Sequence, residues 1–144
     1  MKTIVTNTLN GAVTEYDWAL TSISPTRAGS ATGLHTLGGN TDAGQPIAAS
    51  ITTGKKLWGD TIKKFAVYVY FAMVGTGSGR ARVETRAQTY AYEFPVQAGG
   101  VSRAVTGRGI RENYLAFGFD NVGGADFRID AIEPKTATSN TRRT

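Results

Sequence analysis

The sequence predicts an all-β protein, an antiparallel β-sandwich or jelly roll with one long Gly/Thr-rich loop and a flexible C-terminal tail. Three observations predict it. Residues 80–89, RARVETRAQT, alternate strictly, with Arg80, Arg82, Glu84, Arg86 and Gln88 at one parity and Ala81, Val83, Thr85 and Ala87 at the other. Successive strand residues point to opposite faces, so this is the pattern of a half-buried antiparallel strand with one wet side. The run KFAVYVYFAMV at residues 64–74 places Phe65, Val67, Val69, Phe71 and Met73 on one side and Ala66, Tyr68, Tyr70, Ala72 and Val74 on the other. Both faces are apolar or amphipathic, so this strand is expected to be covered twice, by a second sheet and by a loop or another subunit. Turn signals recur every eight to twelve residues and no segment holds a helical period.

Taken in order, residues 2–7 alternate as a short first strand or arm, and Asn10-Gly11 is a turn signal. Residues 13–22 (VTEYDWALTS) follow as a second strand. The composition then changes to Gly, Ser, Thr and Pro over residues 23–46, a length of loop that is uncommon in a compact domain and usually functional. Two short strands flank Gly54, at residues 47–53 and 56–58. The long strand 64–74 turns through GTGSG into the alternating strand 80–90, and YAYEFPV at 90–96 sets Tyr90, Tyr92 and Phe94 on one face with Pro95 ending the strand. Strands at 101–106, 113–120 and 126–132 complete the set. Residues 134–144 are rich in Thr, Ser and Asn with Lys135, Arg142 and Arg143, and read as a flexible basic tail.

The chain has 144 residues, which suits a single domain over residues 1–133 that buries about 68–70% of its unfolded surface. It contains no cysteine, which excludes disulfides, thiolate metal sites and a cysteine nucleophile. The first residues hold no apolar stretch of signal-peptide length. The longest apolar run, residues 65–74, is about half of what a helix needs to cross a bilayer, so no membrane partner is expected. The net charge of +5 is distributed: Lys55, Lys56, Lys63, Lys64, Arg103, Arg108 and Arg111 are interrupted by Asp60, Glu84 and Glu112. No clustered basic face, helix-turn-helix pattern or RNA-binding aromatic signature accompanies it, so direct nucleic-acid binding is not expected.

No constellation points to catalysis, a metal or a cofactor. His35 is the only histidine, and nothing in its spacing supplies a nucleophile or a metal partner. Residues 75–79 are Gly-rich but lack the Lys-Ser/Thr that follows a phosphate loop, and a hairpin turn explains them. Asp120, Asp126, Asp130 and Glu133 gather the acids near the end of the chain. Their spacing does not match a calcium loop, and a role in stabilising turns and ending strands accounts for them. Trp58 and the tyrosines are the residues best suited to contact: on a sheet face they stack sugars or anchor a protein interface. The expected interface residues are Tyr68, Tyr70, Arg80, Arg82, Arg86, Tyr90 and Tyr92.

The stretch RENYLAFGFDNVGGADFRIDAI at residues 111–132 is similar to the closing hairpin of tailed-bacteriophage capsid cement or decoration proteins: a basic turn, a Tyr-Leu-aromatic strand, a Gly-containing turn and a final strand. The segment YEFPVQAGGVSRAV before it reads as the strand and Pro- and Gly-rich loop often found there. The resemblance covers residues 64–132. It implies a small non-enzymatic sandwich in the virion, assembled in the host cytoplasm, that binds the major capsid protein shell as a dimer or trimer and stabilises the head. Strand addition by residues 2–7 or by the tail onto a partner's edge, and basic residues facing an acidic capsid exterior, are the expected means of attachment. A carbohydrate- or receptor-binding sandwich of a phage tail is the alternative from another class.

Overall fold

The computed structural model describes residues 3–6, 8–9, 11, 13–16, 18–39, 41–42, 44–107 and 109–139. The expectations placed on Lys2, Asn7, Asn10, Arg108, Arg142 and Arg143 lie outside them. Every regular element among these residues is a strand: β1 (Thr3–Thr6), β2 (Val13–Tyr16), β3 (Leu20–Ile23), β4 (Arg27–Ser30), β5 (Gly33–Thr36), β6 (Thr41–Asp42), β7 (Gln45–Pro46), β8 (Ser50–Thr52), β9 (Lys64–Gly75), β10 (Ser78–Glu84), β11 (Thr89–Pro95), β12 (Val101–Val105), β13 (Arg111–Glu112), β14 (Ala116–Asn121) and β15 (Phe127–Thr138). Two compact units result, Met1–Gly39 and Asn40–Thr144, a division that falls inside the single domain expected over residues 1–133.

The first unit consists of the β1–β2 pair and a three-stranded meander, β3-β4-β5. Where one strand was expected over residues 13–22, β2 and β3 are separate. Residues 23–46 are likewise not one long loop, since they carry β4 to β7. Ser24 and Pro25 lie in the turn between β3 and β4, while Gly29, Ser30, Gly33 and Pro46 lie within the short strands themselves; the Ser24 N–H bonds the Arg27 carbonyl at 2.8 Å, and the Leu37 N–H bonds the Thr26 carbonyl at 2.8 Å.

The second unit holds the β6–β7 pair and a sandwich of two larger antiparallel sheets. One has the order β11-β10-β14-β8; in the other, β9 pairs with β15 on one edge and with β12 and then β13 on the other. The core lies between them. Ala66, Val69, Phe71, Met73 and Ala104 come from one sheet, and Ala81, Val83, Phe94, Phe117 and Phe119 from the other. Phe71 stacks on Phe94 with centroids 5.1 Å apart and planes 5° apart, and meets Phe119 edge-on at 5.5 Å. Trp58 fills a further part of the core, its ring edge-on to Phe117 at 5.3 Å and its Nε1–H donated to the Leu115 carbonyl at 2.7 Å.

These large rings dictate small neighbours. A Cβ on Gly79 would collide with the Phe119 ring and lie 3.1 Å from Phe94 Cζ, so the second position of β10 is held by the one residue that lets both rings in. The β9–β10 turn uses Gly77 at φ 72°, a left-handed position that suits glycine. In β12 the buried residues are Ser102 and Ala104, opposite Phe71 and Val69, while Val101 and Val105 face out.

A bulge in β9 alters the expected parity. Lys135 pairs with Tyr68 and Thr136 with Ala66, which leaves Val67 as the extra residue. Ala66 therefore joins Val69, Phe71 and Met73 on the core side, and Phe65, expected there, takes the opposite parity. Lys64 also turns inward. Its ammonium is buried and donates to Asp60 Oδ1 at 2.6 Å, the Asp60 carbonyl at 2.7 Å and the Ile62 carbonyl at 3.0 Å, one acceptor for each of its three protons.

The tail expected to be flexible from residue 134 starts instead as the second half of β15, which pairs with β9 as far as Thr138 opposite Lys64. Alternation continues through it, with Ile132, Pro134 and Thr136 turned inward and Glu133 and Lys135 outward. Pro134 is accommodated because β15 is an edge strand. Asp130 forms a second bulge in this pair, on β15, between Ile129 and Ala131.

Gly79→Ala is expected to destabilise the sandwich by about 1–3 kcal/mol through overpacking, read from the midpoint of denaturant unfolding. An unchanged midpoint would mean that the Phe94 and Phe119 rings yield freely. The Lys64 hydrogen bond, then the backbone N–H of Ile62, hold the Asp60 carboxyl below its ordinary value. The sign follows: this stabilisation is fully present above about pH 4 and is lost as pH falls through the lowered folded-state value. Asp60→Asn should therefore flatten the acid limb of a thermal-stability profile, and an acid limb identical to the parent's would count against the pair.

Candidate interaction faces

Each sheet turns one face away from the core, and the two differ in chemistry. On the outer face of β11-β10-β14-β8, Arg80 stands between Glu93 and Asp120, and Arg82 between Ala91 and Gly118. The Arg80 guanidinium bonds Glu93 Oε1 at 2.8 Å. Arg82 is more deeply committed: its Nη2 donates to Ser50 Oγ at 2.7 Å and to Thr52 Oγ1, and its Nη1 is 3.4 Å from Glu84. Its Nε lies 3.1 Å from Asp120 Oδ1 but off the hydrogen-bond direction, so that contact is electrostatic. Gly118 makes room for this arrangement, since a Cβ there would lie 3.1 Å from Arg82 Nη2 and 2.9 Å from the Ile51 carbonyl. The wet face predicted from the alternation is real as far as Glu84. It is a balanced mosaic, with two arginines against Glu84, Glu93 and Asp120, and Arg82 ties together strands β8, β10 and β14.

Arg86 does not belong to that face. The alternating run ends at Glu84, and residues 85–88 form a turn in which the Thr85 N–H bonds the Gln88 carbonyl at 2.9 Å and the Thr85 hydroxyl bonds it at 2.8 Å. Local bonding by the threonine outweighs the period-two pattern, and Arg86 is exposed on the tip.

The four tyrosines also separate. Tyr90 and Tyr92 lie on the inner face of β11, half-buried against the core, with the Tyr92 hydroxyl end over Gly107. Tyr68 and Tyr70 lie on the outer face of the other sheet. Register sets them in three rungs across β12, β9 and β15: Val101–Ala72–Ala131, Arg103–Tyr70–Glu133 and Val105–Tyr68–Lys135. The Tyr68 and Tyr70 rings are tilted at 6.2 Å, and the Arg103 guanidinium lies 5.1 Å over Tyr68. Lys135 Nζ meets Glu133 at 2.9 Å. The face thus grades from charge on β15, through aromatic rings on β9, to two valines on β12 that are each 58% exposed.

Val101, Arg103 and Val105 escaped sequence reasoning because VSRAV looks like a strand that hides its valines. The signal available was their position beside a strand already crowded with phenylalanine and methionine, which leaves space only for Ser102 and Ala104.

The remaining candidates resolve locally. His35 Nε2 pairs with the Ser30 hydroxyl at 2.8 Å on an exposed strand. Asp130 lies 3.3 Å from Arg128, and Glu133 and Asp120 face Lys135 and Arg82. Among the described residues no three His, Cys, Asp or Glu side chains converge in a metal-binding group. Asn121 closes the turn beside them, donating to the Ile47 carbonyl at 2.8 Å and accepting the Ala49 N–H at 2.8 Å.

No family model, curated protein or solved structure matches this chain.

Arg82→Ser should lower stability by about 1–2 kcal/mol, because it strips Glu84 and Asp120 of a shared cation and leaves the Ser50 and Thr52 hydroxyls with water. Arg86→Ser should stay within about 0.5 kcal/mol of the parent. Equal denaturation midpoints for the two variants would contradict the division drawn between them.

Proposed function

We propose that this chain is a non-enzymatic structural protein of a bacteriophage virion, a cement or decoration protein that binds the major capsid protein shell and stabilises the head. The observation that carries the reading is the Val101–Tyr68–Tyr70–Val105 face, a half-exposed apolar and aromatic surface on a rigid sheet. Tyrosines and an arginine set among exposed valines are the composition that anchors protein interfaces. The resemblance of residues 111–132 to cement proteins adds the shell as the partner. We read the strand order β8-β14-β10-β11 over β12-β9-β15 as that of a jelly roll without its first strand, an architecture that recurs in capsid and lectin domains. Fold alone does not choose between those two uses.

The balanced arginine face is a weaker candidate than the charge count suggests, because its cations are already paired within the chain. Attachment by the tyrosine face is accordingly expected to depend little on salt.

The tail-borne, sugar-binding alternative draws on the same Tyr68 and Tyr70 rings, and copy number separates the two. In purified particles of the phage that encodes it, the chain should stand in a simple fractional ratio to the major capsid protein by quantitative mass spectrometry. A handful of copies per particle would transfer it to the tail, and absence would overturn the virion reading. On heads lacking the chain, Tyr70→Ser combined with Val105→Ser should weaken rebinding by at least about 30-fold while leaving the thermal transition of the sandwich in place. Undiminished rebinding would remove this face.

A further inference from the structure

Among the described residues β12 stands at the edge of its sheet, with β9 as its partner on one side and no strand on the other. Two bonds fix which of its backbone groups face that open side. The Met73 N–H donates to the Gly100 carbonyl at 3.1 Å, and the Thr106 N–H to the Val67 carbonyl at 3.3 Å. Bonded positions alternate in an antiparallel ladder, so the even-numbered residues pair with β9 and the N–H and C=O groups of Val101, Arg103 and Val105 point away from it. No backbone hydrogen bond from another described residue reaches them there. The same three residues carry the exposed side chains of β12. One row of the strand thus offers both an unpaired backbone ladder and the rim of the Tyr68–Tyr70 face.

The other edges of the sandwich are less open. β8 is three residues long. By the same alternation, β11 and β15 turn Pro95 and Pro134 to their outer sides, where each lacks a donor. β12 has no proline and pairs with β9 without a register shift. Charge narrows the occupant. The Arg103 guanidinium leans over Tyr68 and, unlike those of Arg80 and Arg82, has no carboxylate partner among the described residues. Arg111 on β13, further along the same side of β9, is exposed as well. A second copy meeting this edge about Arg103 would set like charges opposite each other, and the chain's own end, with Arg142 and Arg143, would bring more of them. An extended segment with an acid at that position satisfies the ladder and the charge together.

We propose that β12 is a docking edge for an extended, acidic segment of another protein, which joins the sheet as its next strand. Side chains of that segment at i, i+2 and i+4 lie beside Val101, Arg103 and Val105 and are apolar, acidic and apolar in turn. The residues between them are small, because they lie beside the buried Ser102 and Ala104. The proposal rests on reading the Tyr68–Tyr70 face as a protein interface and is independent of the shell as the partner.

The test is amide hydrogen exchange of the full chain, resolved by NMR, with the capped peptide Thr-Val-Thr-Glu-Thr-Val-Thr as probe. Its sequence reads alike in both directions and so serves either strand polarity. Without peptide, the amides of Ser102 and Ala104 should exchange slowly and those of Val101, Arg103 and Val105 fast. At about 5 mM peptide the fast three should slow at least about 5-fold, as a dissociation constant of about 1 mM or below requires. The same peptide with lysine in place of glutamate should bind at least about 5-fold more weakly, and Arg103→Glu, an exposed substitution that leaves the thermal transition in place, should reverse that order. No slowing, slowing confined to other strands, or equal binding of the two peptides would overturn the proposal. Protection of the three amides without peptide would also overturn it, since the same chain or a second copy then covers the edge. Uptake of the peptide by a chain that is absent from purified particles would keep the edge and remove the shell. A chain in simple ratio to the major capsid protein that refuses the peptide would do the reverse.

Discussion

The contact of Phe71 with Phe94 and Phe119 is the constraint from which most of the sandwich follows. Phe71 belongs to the sheet built on β9 and the other two to the sheet built on β10, so a single stack of rings sets the separation of the layers. Everything near it is sized to fit. Gly79 vacates the space of a side chain for the Phe94 and Phe119 rings, and Ser102 and Ala104 line the strand that Phe71 and Val69 press against. Phe127, 4.8 Å from Phe119, brings the start of β15 into the same cluster. Dispersion and apolar burial at this density tolerate little change in volume, which is why glycine and serine here are packing residues.

That constraint explains how far the sequence could be read. The all-β class, the strands at 64–75, 89–95 and 101–105, and the turns between them are written in alternation and in Gly and Pro punctuation. The irregularities are not. Nothing in KFAVYVYFAMV announces that Val67 is supernumerary, because a bulge is chosen by the register of two neighbours and not by local preference. Threonine misled in both directions: in Thr85 it bonded its own turn and ended a strand that alternation would have continued, and in Thr136 it extended a strand into a segment whose composition suggests a tail.

For the candidate site, residue types were legible and their grouping was not. From the sequence Tyr68, Tyr70, Tyr90 and Tyr92 group as expected interface residues, and only Tyr68 and Tyr70 lie on an outer sheet face. Tyr90 and Tyr92 have the same composition and the same spacing, yet they line the core, because inward and outward are decided by which sheet lies opposite. The arginines show the corresponding limit of charge counting. Arg82 looks like a docking cation until Ser50, Thr52, Glu84 and Asp120 are placed around it, and three of those four come from strands distant in the chain.

The last strand of the fold carries its own restriction. β15 is twelve residues long and lies at a sheet edge, the geometry that most readily recruits further strands. Pro134 interrupts its donors, Asp130 kinks it, and Arg128, Glu133 and Lys135 line it with charge. Such an edge resists templating, so a chain that accumulates to high local concentration can meet its neighbours broadside without zipping into fibrils.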